Sequence, residues 1–406
     1  MLVPIKSGSV YQHNMLRFLT AGESHGPVET AIIDGIPAGL EITEEEIQSE
    51  LDRRKMGTGR GGRGFIEKDK VNILSGVRYG ITLGSPITLS VNNMDFDNNL
   101  KIMTNKSVDL ESMKKSRLTK PRPGHADLAG VLKYGFTDIR NVSERASARE
   151  TVMRVALGAV AKKLLSELHI KVASHTIQIG NITVNSNNYN FEKILTIDSI
   201  DPDIRCLNPD FSVKMKKAIL EAIKQKDTLG GVIEIITRNV PPGIGSHVHW
   251  DRKLDSKLAQ SLMSIPSVKT VEIGNGLQSS HLPGSKVHDE ILFDNNRYFR
   301  KTNNNGGIEG GISNGEDIVC KIYLKPISTL GNPLNSVDII TKKKVQADIQ
   351  RSDICVVPRA GVIGEACVAL ILAELCLEKF GGDTIREFKV NYRNYITNIS
   401  DHVSSV

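Results

Sequence analysis

A mixed α+β chain in a single body is what this sequence predicts, and three observations predict it. Two stretches, Thr43-Glu44-Glu45-Glu46 and Ser147-Ala148-Arg149-Glu150, pair a hydroxyl with a glutamate three residues on, the pattern that satisfies orphan amides at a helix start. Between them, Val71 to Val91 alternates apolar and polar residues between glycines, as a β-meander does. No linker-like stretch divides the chain, so 15–390 reads as one domain, with 1–14 an N-terminal extension and 391–406 a C-terminal tail.

Taken in order, Met15 to Thr20 predicts a strand and Pro27 to Gly35 a second short strand-like segment. The Thr43 box opens a helix with Ile47 and Leu51 inward, ending near Met56-Gly57. After the meander, Asn92 to Lys120 reads as loop or short helix. The Ser147 box opens a long helix in which Val152, Val155, Ala156, Ala159, Val160, Leu164 and Leu168 recur at a 3.6-residue period, the mark of a buried face. Strands are predicted over Ile170–Val184, Gly230–Val240, Val268–Ile273 and Ile318–Tyr323. Residues 185–210 read as a polar connection, Met215–Lys226 and Leu254–Met263 as helices, and Asn303–Gly315 as a mobile flap or a ligand-approaching loop. A short helix is expected before Arg351, and a last helix from about Ile363 to Phe380, stopped by Gly381-Gly382.

Composition narrows the function classes. The 406 residues carry 52 Lys and Arg against 46 Asp and Glu, and a net +6 does not by itself imply nucleic acid or a membrane. Five cysteines without a CxxC pair argue for a reducing compartment and against a zinc or disulfide framework. The longest apolar run, Cys367 to Leu377, contains Glu374 and is too short to span a bilayer. With no apolar signal-like segment in 1–14, a cytoplasmic location is expected.

The chemistry gathers where arginines flank glycine turns: Arg54, Arg60 and Arg63 about GTGRGGRG, Arg122 with Arg145 and Arg149, and Arg351. Glycine lets backbone approach a ligand, and forked guanidinium donors suit phosphate or carboxylate. Arg145 and Arg149 fall at a helix N-terminus, where cations oppose the macrodipole unless an anion binds. The plainer alternative pairs them with Glu144 and Glu150 as a solvated cluster. Arg53 and Lys55 need no ligand, since cations complement a helix C-terminus. His25 and His125, each in a turn among charged neighbours, are the acid or base candidates.

Two rival classes are visible. Gly22-Glu23-Ser24-His25-Gly26 fits the GxSxG of serine hydrolases, but no long helix follows it, and adjacent Ser24 and His25 in extended chain face opposite ways. The glycine-arginine loop resembles a nucleic-acid-binding RGG segment, yet aromatics are only 5% of the chain, few for base stacking. Gly57-x-Gly59-x-x-Gly62 follows a helix, not a strand, so the dinucleotide motif lacks its context. From the residues alone, the chain is an enzyme for a phosphorylated or polycarboxylate metabolite.

The motifs GESHG (22–26), LDRRKMGTGRG (51–61), RPGHAD (122–127), RASARETVMRVALGAVA (145–161), EGGISNG (309–315), KPIST (325–329) and RSDICVVPRA (351–360) strongly resemble the chorismate synthase family. The resemblance implies a β-α-β sandwich of two related halves, a homotetramer, and conversion of 5-enolpyruvylshikimate-3-phosphate to chorismate with reduced FMN. It implies His125 as acid for the leaving phosphate, His25 at the reduced flavin and Asp353 near the flavin's N5 edge. Substrate anions would meet Ser24, Arg54, Arg60, Arg122 and Arg149. The flavin would meet Arg145, Ala146, Ser147, Pro266, Ser267, Gly310, Lys325, Pro326, Ile327, Ser328, Thr329 and Arg351. In some members NADPH reduces the flavin, with Arg54 and Arg60 the associated positions. This chain departs from the family pattern at Ala146, at Pro266-Ser267 and at Ser352.

Overall fold

The computed structural model describes residues 16–61, 68–184 and 190–405. Strands β1 (Arg17–Ala21) and β2 (Val28–Asp34) pair antiparallel around the GESHG turn. Helix α1 (Glu44–Lys55) starts at Thr43 with the reciprocal box formed. The meander supplies β3 (Val71–Ser75), β4 (Val77–Arg78), β5 (Ile81–Thr82) and β6 (Ile87–Asn92). Short helices α2 (Phe96–Asn99), α3 (Leu110–Ser116), α4 (Asp127–Tyr134) and α5 (Arg140–Ser143) then lead to α6 (Thr151–Ser166).

The second half runs β7 (Lys171–Ile179), β8 (Ile182–Thr183), α7 (Phe191–Leu195), α8 (Ile197–Ile200), α9 (Pro209–Gln225) and β9 (Gly231–Arg238). Helix α10 (Leu254–Met263), β10 (Val268–Ile273), α11 (Gly276–Ser279) and the pair β11 (Ile291–Asp294) and β12 (Arg297–Arg300) follow. The chain continues through β13 (Ile308–Glu309), β14 (Ile312–Ser313), β15 (Ile318–Leu324), β16 (Asn335–Val337) and β17 (Lys344–Gln346). It finishes in α12 (Val357–Phe380) and α13 (Ile385–Ser405).

The two larger sheets among the described residues are antiparallel, in strand orders β1-β2-β6-β3 and β10-β15-β9-β7-β8. Register in the first places Ala31 opposite Leu89 and Ile33 opposite Ile87, so these four side chains share the buried face. Helix α6 packs on β2 and β6, α12 packs on β7 and β9, and the two helices pack on each other. Both are apolar nearly all round, as helices between two layers must be. At their crossing the backbones come so close that a Cβ on Gly158 would lie 2.3 Å from that of Ala366. Strand β9 is buried on both faces, because Phe191 and Ile194 of α7 cover Ala173, Ile236 and Val319 on the far side of the sheet.

Several expectations need correction. The Ser147 box forms only in part: Ser147 Oγ accepts from the Arg149 N–H at 3.3 Å, while Glu150 turns to Arg154, and a 3-10 turn over Ala148–Glu150 precedes α6. The stretch before Arg351 is the β16–β17 hairpin, not a helix. The 185–210 connection contains two short helices among its described residues, and the expected tail from 391 is the outer half of α13. Residues 303–315 are pinned rather than flap-like, with Asp289 accepting the Asn304 and Asn305 N–H groups and Asn303 Nδ2 donating to the Asp317 carbonyl. Helix α12 is long and apolar enough to cross a membrane, but 89% of that stretch is buried inside the fold. The extension 1–14 and Arg63 lie outside the described residues.

Candidate active site

One cleft gathers residues from six separated stretches: the β1–β2 turn, the end of α1 with the loop that leads on to β3, the RPGHAD turn, the segment from the end of α5 to the start of α6, the KPIST turn, and the segment from Gln350 to the first turn of α12. Ser24, His25, Arg54, Lys55, Arg60, Asp69, Arg122, His125, Glu144, Ser147, Arg149, Ile327, Thr329, Gln350, Arg351, Asp353 and Arg359 line it.

The His125 wall is built by a short turn. Gly124 at φ 78° turns the chain, the His125 N–H closes on the Arg122 carbonyl at 3.2 Å, and α4 begins at Asp127. Buried Asp127 accepts from His125 Nδ1 at 2.5 Å, from Arg122 Nε at 2.8 Å and from the Arg122 backbone N–H at 3.0 Å. Burial pushes its carboxyl up, but the His125 and Arg122 hydrogen bonds and charge outweigh burial and hold it well below the usual range. With Nδ1 engaged by Asp127, Nε2, which lies 3.4 Å from Arg122 Nη2, is the imidazole nitrogen that can serve a ligand in the cleft. Arg122 Nη1 donates to Thr329 Oγ1 at 3.1 Å and to Gln350 at 2.9 Å, tying this wall to the KPIST turn.

His25 is held in the same way by a different acid. Its backbone N–H and Nδ1 reach Glu144 Oε2 at 2.8 and 2.9 Å, and Arg140 also donates to that carboxylate. Burial raises Glu144, and His25 with Arg140 more than reverses it, leaving the acid ionised below its ordinary range. Ser24 Oγ is 3.0 Å from Ser147 Oγ, not from the imidazole. The turn stands between two strands with no helix after it, so the hydrolase arrangement is absent.

The remaining wall holds Arg54, Arg60, Arg149, Asp353 and Arg359. Buried Arg54 donates to Thr151 Oγ1 at 2.9 Å and to the Ala148 carbonyl at 3.1 Å. Burial, with Arg359 and Arg149 nearby, pulls its guanidinium down to about 10 despite Asp69. Arg149 donates to Asn93 at 2.9 Å and pairs with Asp69, so it is not the solvated Glu150 pair. Burial and then Arg359 likewise lower Arg60. Asp353 accepts the Gly61 N–H at 2.8 Å and pairs with Arg359. A Cβ on Gly61 would lie 2.3 Å from the Ser352 carbonyl oxygen, which is why this loop needs glycine there.

Other expected residues stand back from the cleft lining. Arg145, with 43% of its side chain exposed, donates to the Thr20 and Gly22 carbonyls and so braces the β1–β2 turn. Ala146, next in the chain, donates its backbone N–H to the Val142 carbonyl at 3.0 Å. Lys325 donates to the Gly124 carbonyl at 2.8 Å and to Ser328 Oγ at 3.2 Å, beside the His125 turn, and the Ser267 carbonyl accepts the Lys325 N–H. Pro266 and Pro326 flank that contact, and Gly310 sits on the exposed β13–β14 turn. Sequence reading missed Asp69, Glu144, Gln350 and Arg359. Arg359 carries a signal, lying eight residues after Arg351 on the first turn of a helix, whereas Asp69 and Gln350 carry none.

The family model for chorismate synthase matches residues 16–377. The chain belongs to the chorismate synthase family. It is 49% identical over 391 residues to a chorismate synthase of Geobacter metallireducens, covering 94% of this chain and 98% of that one. Against that of Carboxydothermus hydrogenoformans it is 50% identical over 388 residues, covering 96% and 100%. Against chorismate synthase 2 of Bacillus cereus it is 51% identical over 387 residues, covering 94% and 99%. A solved structure titled as the crystal structure of chorismate synthase superposes with a TM-score of 0.76 at 41% identity, covering 95% of this chain and 98% of that one.

The donor set also fits a phosphorylated cofactor. Arg351, Thr329, Ser147 and the Lys325–Ser328 pair offer cationic and hydroxyl donors around the Gly124 turn, where a Cβ would lie 3.2 Å from Lys325 Nζ.

Proposed function

We propose that the cleft binds 5-enolpyruvylshikimate-3-phosphate together with reduced FMN, and that the chain eliminates phosphate in a 1,4-anti sense to give chorismate, the last step of the shikimate pathway. The observation that carries this reading is the convergence of six arginines on one cleft with two histidines, each oriented by its own buried carboxylate.

Bound reduced FMN would supply reversible electron donation, with no net redox change. The chain's residues do the rest. His125, with Nδ1 fixed on Asp127, gives the proton at Nε2 to the departing phosphate oxygen. Arg122, Arg54, Arg60 and Arg149 neutralise the substrate's phosphate and carboxylates, favouring a transition state in which charge collects on the leaving group. His25, fixed on Glu144, holds a proton on the cofactor side, and Ser24 supplies a hydroxyl donor. Asp353 borders the site where the ring proton leaves. Arg351, Ser147, Ile327, Thr329, Lys325 and Ser328 hold the cofactor. Arg54 and Arg60 are the positions at which NADPH would serve as reductant.

The same reading includes two related halves, α6 on one sheet and α12 on the other, and a homotetramer in the cytoplasm. Edge strand β1 exposes Phe18 and Leu19, apolar groups that assembly would cover. Anaerobic incubation with reduced FMN and the phosphorylated enolpyruvyl substrate tests the activity: stoichiometric phosphate release is expected, and none with oxidised FMN. Equal release with either flavin state would refute the reading.

A further inference from the structure

The charges of the cleft sort into two poles. His125, Asp127, Arg122, Thr329 and Gln350 are linked by hydrogen bonds into one. Asp353, Arg359, Gly61 and, through their mutual electrostatics, Arg54 and Arg60 form the other. Within the second pole, Arg359 lines the cleft with its guanidinium only partly satisfied. One guanidinium nitrogen, Nη1, pairs with Asp353, while Nη2 is buried with no acceptor among the described residues. A buried guanidinium donor left unmade is costly, and at the wall of a cleft a ligand oxygen or an ordered water is what such a donor takes.

We infer that Arg359 binds a carboxylate of the substrate through Nη2, with Asp353 setting its orientation. This rests on the activity proposed above. The phosphate goes to the other pole, because His125, the acid for the leaving oxygen, belongs there. That leaves the carboxylates for the pole of Arg54, Arg60 and Arg359. A planar fork already fixed at one nitrogen is well suited to such a partner, since little freedom remains to be lost on binding.

The test is equilibrium binding to the full chain loaded with oxidised FMN, using two probes: chorismate, which keeps both carboxylates but has no phosphate, and inorganic phosphate. Arg359→Gln and Arg359→Lys should both weaken chorismate on the order of tenfold to a hundredfold and leave phosphate unchanged. Arg359→Lys keeps the charge beside Asp353, so its melting temperature should stay near wild type and show that the loss is not unfolding. Asp353→Asn, which releases the guanidinium without removing it, should weaken chorismate less than Arg359→Gln does. Wild-type chorismate affinity in either Arg359 variant, or loss confined to phosphate, would overturn the assignment. Failure of the wild-type chain to bind chorismate would instead sink the activity on which it rests.

Discussion

Arg53 and Arg54 are neighbours at the end of α1, yet they enter two different kinds of buried charge. Arg53 joins a closed cluster in which Arg53, Lys162 and Arg205 face Glu50, Asp198 and Glu365, with Ser174 donating to Glu365 at 2.6 Å. Burial opposes the charged form of Arg53, but Glu365 and Glu50 raise it above its usual range, and fully buried Glu365 is held well below its own. Arg54 opens on the cleft, where six arginines and Lys55 outnumber Asp69, Glu144 and Asp353 among the described lining residues. Its guanidinium is pulled down to about 10. A balanced cluster finds its counter-charges within the fold, whereas an unbalanced one takes them from an anion outside.

Disturbing each region sharpens this contrast. Glu365→Gln should cost about 3–5 kcal/mol of stability, because it leaves one buried and two half-buried cations short of their shared, fully buried partner. Urea unfolding followed by circular dichroism would show it, and an unchanged midpoint would remove the cluster from the fold's support. In the cleft, His125→Ala should lower turnover on the order of a hundredfold or more while the urea midpoint stays put; near-normal turnover would take His125 out of the acid role. Arg149→Ala should raise the substrate KM on the order of tenfold, and unchanged KM would return Arg149 to a purely structural pairing with Asp69. The smallest effect belongs to Glu29, beside the β1–β2 turn. Burial raises its carboxyl from an ordinary 4.5 to about 7, against the pull of Arg149 and Arg145. The folded chain then binds more protons than the unfolded one in that window, so this group's contribution is present below about 4.5 and lost as pH rises to about 7. Glu29→Gln should flatten the fall in melting temperature between those values, and an unaltered pH profile would assign the slope to other groups.

The difference between the two regions was only half legible in the sequence. Arg54 and Arg60 were readable as ligand groups because a glycine loop follows them. Arg53 was readable as structural, but through the helix dipole, since Asp198, Arg205 and Glu365 lie far along the chain and nothing local announces their meeting. Helix α6 could be read from its period, although its burial all round could not: periodicity reports one face, and the second is set by α12. Helices α4 and α7 are short and lack long repeats, yet α4 carries Asp127 under His125 and α7 closes one face of a sheet. The box at Ser147 misled because Glu150 has a better partner in Arg154 one turn on. Glu144 entered the sequence reading only through the plainer alternative of a surface arginine pair, and it orients His25.

The most direct measurement is thermal unfolding of wild type and Arg60→Gln, each with and without substrate at saturating concentration. If an anion completes the cleft, substrate raises the wild-type melting temperature. Arg60→Gln then gains less on binding than wild type does. A variant that gains as much from substrate as wild type would contradict it.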